Sequence, residues 1–65
     1  MSLVYFQPPG IKKEYCEAGW LMENDPLYIY FLDETCKILI SEVNIIDKEN
    51  VIWIKKSGVY KIITK

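Results

Sequence analysis

Two cysteines, nine carboxylates and eight lysines, with no histidine and no arginine, set the chemistry open to this chain of 65 residues. Cys16 and Cys36 stand far apart in sequence. Zinc sites gather thiolates in close pairs, so a metal centre here would need an unusual set of two thiolates and two carboxylates. A secreted scaffold held by disulfides usually carries more cysteines, about four to eight. Both thiols are therefore expected to be reduced and to act as small buried hydrophobes, with a disulfide as the alternative. No metal and no cofactor is expected.

Catalysis finds little to work with. Without histidine there is no Ser-His-Asp or Cys-His arrangement and no side chain that titrates unperturbed near neutrality. Without arginine there is no bidentate fork for phosphate or guanine. Gly10, Gly19 and Gly58 are isolated, so no glycine-rich phosphate loop exists. The carboxylates lie in polar stretches where nothing tunes them for acid–base work. The expectation is a protein that is not an enzyme.

Trp20, Tyr28, Tyr30, Trp53 and Tyr60 are the remaining functional material. They can fill a core, since each such ring buries roughly 150–250 Å². They can also form a protein interface, where Tyr and Trp tolerate one wet end. A third use is a stacking platform for single-stranded nucleic acid, with Trp53, Lys55, Lys56, Tyr60 and Lys61 as the face for an anionic partner. The net charge of −1 counts against phosphate binding.

Charge is polarised along the chain. Glu14, Glu17, Glu23, Asp25, Asp33 and Glu34 fall between residues 14 and 36 without a base, and Lys55, Lys56, Lys61 and Lys65 fall after residue 50 without an acid. Acidic and basic strands lying side by side would neutralise each other. Head-to-tail contact between subunits, or a basic face for an anionic partner, are the other uses of this pattern.

The elements that must position these residues are strands. Ten isoleucines and four valines against one alanine describe a pleated sheet rather than helices. Residues 2–6 read as a strand ended by Gln7-Pro8-Pro9-Gly10, where two prolines remove two amide donors. The stretch from Ile11 to Glu23 is a strand or a short helix. As a strand it puts Cys16, Ala18, Trp20 and Met22 on one face and Lys13, Tyr15 and Glu17 on the other, with Gly19 at a bulge or a close backbone approach. Glu23–Pro26 is a turn. Leu27–Leu32 is apolar on both faces, with Leu27, Ile29 and Phe31 expected inward and Tyr28, Tyr30 and Leu32 outward. Asp33-Glu34-Thr35 is the next turn, and Cys36–Ile40 returns from it. Ser41–Asn44 reads as a bend or a single 3₁₀ turn, with Val43 and Ile46 reaching the core, and Asp47–Asn50 as a polar turn. A hairpin over Val51–Thr64 closes the chain, with Gly58 at a positive φ in its Lys56-Ser57-Gly58 corner.

The expected fold is all-β: one domain over residues 1–65, a small five- to six-stranded antiparallel barrel or strongly twisted sheet. It has the size of an SH3-like or Sm-like barrel, a comparison of size and strand count. The expected function is a non-enzymatic interaction or assembly module that self-associates through Tyr28, Tyr30 and Leu32. A small barrel binding single-stranded nucleic acid through the C-terminal lysines and aromatics is the alternative. The partner is a second copy or another protein. No stretch approaches the ~20 apolar residues of a membrane helix, and no signal peptide opens the chain, which suggests a cytoplasmic protein.

Overall fold

Among the described residues, β-branched and aromatic side chains build seven short strands: β1 Ser2–Gln7, β2 Tyr15–Met22, β3 Asp25–Phe31, β4 Asp33–Leu39, β5 Asn44–Ile46, β6 Val51–Trp53 and β7 Tyr60–Ile62. The computed structural model describes residues 1–54 and 59–63. All pairings are antiparallel, in the order β4-β3-β2-β1-β5, with β7 joining β2 to β6. One edge of β2 meets β1, while its other edge meets β7 at Tyr15 and Cys16 and β3 from Gly19 onward. That division of one edge between two partners curls the sheet into a half-barrel. The all-β class is as the composition implies. The open stretch from Ile11 to Glu23 is a strand from Tyr15 on, not a helix.

The turns follow their chemistry. Glu23 and Asn24 close a hairpin in which Met22 pairs with Asp25. Asp33-Glu34-Thr35, expected as a turn, opens β4 instead because the chain already reverses at Leu32; there Asp33 accepts hydrogen bonds from the amide of Thr35 at 2.8 Å and from its hydroxyl at 2.6 Å. A 3₁₀ turn over Ile40–Glu42 and another over Lys48–Asn50 interrupt the strands, and the Asp47 carboxylate caps the second by accepting from Glu49 N. Val43 and Ile46 are half-buried beside them. The final hairpin pairs Val51 with Ile62, Ile52 with Lys61 and Trp53 with Tyr60. Its Lys56-Ser57-Gly58 corner lies outside the described residues.

Adjacent residues of β1 serve two different cores. Phe6 packs edge-on against Phe31 at 5.4 Å between ring centroids, next to buried Ile29. Gly19 faces both: a Cβ there would stand 2.6 Å from Ile29 Cγ2 and 3.1 Å from Phe6 Cε1. Close approach, one of the two roles expected for Gly19, is its role. On the opposite side of β1, Tyr5 meets Tyr60 edge-on at 4.9 Å, and Tyr60 pairs with buried Cys16.

Leu27 departs from the inward position that alternation assigned it and is 64% exposed. The reason is a register shift: β3 pairs Asp25 with Met22 and then Ile29 with Leu21, so Pro26, Leu27 and Tyr28 bulge away from β2. Leu32 is likewise no strand residue. It forms the tip of the tight β3–β4 turn, with Phe31 paired to Asp33.

Candidate interaction surface

Cross-strand partners share a sheet face, and the register therefore aligns Leu3, Trp20, Tyr30 and Lys37 in one row across β1, β2, β3 and β4. Tyr28 lies beside this row, two residues from Tyr30. The Lys37 ammonium sits 4.3 Å from the Tyr28 ring centre and 5.8 Å from that of Tyr30. It also lies 3.6 Å from the Asp25 carboxylate, which accepts a 2.5 Å hydrogen bond from the Tyr30 hydroxyl. This bond holds the phenol proton and raises the Tyr30 pKa above its ordinary value, with desolvation acting the same way. Two of the three residues expected at an interface, Tyr28 and Tyr30, are thus half-buried and already engaged within the chain.

The third, Leu32, is different. Its φ is +64°, the only positive value at a non-glycine among the described residues, and its side chain is 78% exposed. The acids that follow, Asp33 and Glu34, are also exposed. Hydrogen bonds from Thr35 occupy the Asp33 carboxylate and lower its pKa. Glu34 has no ion pair among the described residues.

The residues expected to face an anionic partner divide. Trp53 stacks edge-on against Tyr60 at 4.2 Å and remains 60% exposed, whereas Tyr60 is buried, which raises its pKa. Lys61 points to the other face of β7, in a row with Ile52 and Tyr15. Lys55 and Lys56 lie outside the described residues. The acidic segment and the basic one do run side by side where β2 meets β7, and the amide of Ile62 donates to the Glu14 carbonyl at 2.9 Å. The ion pair found among the described residues joins Lys37 to Asp25 instead.

Both cysteines are free thiols. Cys16 is buried, and desolvation raises its pKa; Cys36 is half-buried. Among the described residues no three Cys, Asp or Glu side chains converge as metal ligands, and no helix is long and apolar enough to cross a membrane.

Sequence reasoning missed the parts played by Asp25, Lys37 and Leu3. The signal for Asp25 and Lys37 was present, since Lys37 is the first base after a run of acids. Using it required the register between β3 and β4, which turn chemistry alone does not specify. The fold and surface together define a small all-β domain with exposed apolar groups. No protein-family model, no curated protein and no solved structure matches the chain.

Proposed function

We propose that this chain is a non-enzymatic interaction module that self-associates. The observation that carries the reading is the balance of apolar burial. Among the described residues only Phe6, Cys16, Ile29 and Tyr60 form a buried apolar core, while eight large hydrophobic residues, Trp53 and Leu32 among them, are exposed. Scattered single residues of this kind are ordinary on a surface. Here they outnumber the core of a domain near the lower size limit for independent folding, where a partner subunit is a common remedy.

Binding of single-stranded nucleic acid has weaker support. Tyr60 is buried beneath Trp53, and Lys61 faces the other side of its strand from both, so these side chains do not share one platform. Light scattering across a range of concentrations tests the main reading: the mass should rise above that of one chain. A protein that stays monomeric at high concentration overturns it. Should a single-stranded oligonucleotide bind with an affinity that falls steeply with salt, the phosphate-binding alternative replaces it.

A further inference from the structure

Leu32 holds a left-handed backbone conformation that leucine rarely adopts, and its side chain buries little inside the chain in return, being 78% exposed. Asparagine or glycine would suit that turn better. A strained position kept by an apolar side chain that is mostly exposed points outward, to a contact in another molecule.

A complementary surface lies on the C-terminal hairpin. Ile52 is 44% exposed and pairs with Lys61; Ile63 is 42% exposed and follows Lys61 by two residues on the same side of the strand. The amide of Ile63 donates to the Asn50 carbonyl, which continues the pairing and keeps Ile63 in line. Two apolar groups therefore flank one exposed lysine, and Lys61 has no ion pair among the described residues.

We infer that the Leu32 turn of one copy docks on the Ile52–Lys61–Ile63 face of a second copy, with Glu34 opposite Lys61. The match is apolar to apolar and acid to base, and it uses both ends of the polarised charge pattern. Such a contact is head-to-tail: the two surfaces differ, so each copy offers one of each. This inference rests on the self-association proposed above and names the surfaces that make it.

The test uses two full-length variants, Leu32→Asn and Lys61→Glu, followed by light scattering and sedimentation. Each alone should need a concentration about tenfold higher or more to assemble, the size of effect expected from losing a buried leucine or opposing like charges. Mixed in equal amounts they should form pairs and stop there, because one chain keeps its Leu32 turn and the other keeps its hairpin face. At a dilution where the wild type is monomeric, Leu32→Asn should unfold at no lower temperature than the wild type, so that lost assembly is not lost folding. Variants that assemble as the wild type does, or a mixture that recovers no pairs, overturn the docking surfaces while leaving self-association standing. A monomeric wild type overturns both.

Discussion

At Gly19 the fold leaves no room for a methyl group. An added Cβ would approach Ile29 Cγ2 to 2.6 Å and the Tyr30 carbonyl oxygen to 2.7 Å, and the carbonyl belongs to a backbone held by β-pairing. Gly19→Ala should therefore destabilise the protein by about 2–3 kcal/mol, the upper range for overpacking a tight site, as read from the midpoint of denaturant unfolding. An unchanged midpoint would show that β3 can retreat from β2. The cysteines differ from one another in the same local way. Cys16 is fully buried with its thiol pKa raised, and Cys36 is half-buried. Reaction with a thiol reagent should proceed in two steps, Cys36 in the native protein and Cys16 only on unfolding. Equal rates for the two thiols would contradict this burial.

The β3–β4 turn is an element whose stability depends on one carboxylate. Asp33 accepts from both the amide and the hydroxyl of Thr35, and these bonds lower its pKa from the ordinary 3.8. A carboxylate held below its unfolded value contributes stability that is complete above that value and is lost as pH falls through the folded one. Acidification below the ordinary aspartate range should release the Thr35 amide, seen as a lower protection factor against hydrogen exchange and an upfield proton shift. Asp33→Ala should show that release at every pH, and a Thr35 amide indifferent to both changes would mean the turn is held by other bonds. The sequence places this turn on Asp33-Glu34-Thr35, whose side chains carry turn chemistry, but these residues open β4 and Leu32 forms the tip. β1, ended by its prolines, and the two arms of the last hairpin were legible. Leu27 was not legible. Its neighbours alternate well, and only the shift between Asp25–Met22 and Ile29–Leu21 turns it outward. Of the candidate surface, the exposure of Trp53 and Leu32 matched residues already singled out. The occupation of Tyr28 and Tyr30 by Lys37 and Asp25 did not follow from the sequence, because pairing partners are set across strands.

Taken whole, the molecule has a small apolar interior divided between two sides of one sheet. Phe6, Ile29 and Phe31 hold one side, and Tyr5, Cys16 and Tyr60 the other. Neither cluster is large, so the assembled state should supply part of the stability. Binding of the native form to itself shifts the unfolding equilibrium by mass action. The thermal midpoint should rise with protein concentration, by several degrees over about a hundredfold range, given that ~1 kcal/mol moves the midpoint of a domain this size by roughly 4–8 °C. A midpoint independent of concentration would mean that each chain is stable alone.

Because Tyr5 and Phe6 are sequence neighbours committed to opposite sides, β1 carries a reading frame. A slide one way would bring Phe6 beside Tyr60 but set Gln7 in the place of Phe6; a slide the other way would set Tyr5 there and Val4 beside Tyr60. The first misalignment buries an amide and the second a hydroxyl between Ile29 and Phe31, among hydrocarbon. Only the native frame gives that site a wholly apolar ring. Tyr5→Phe removes the polar cost of the second misalignment. The expected sign is a second set of amide resonances for β1 and β2, exchanging slowly with the first. A single set of peaks would place the frame instead in the loss of a ring beside Tyr60, or in Pro8 and Pro9, which follow the strand.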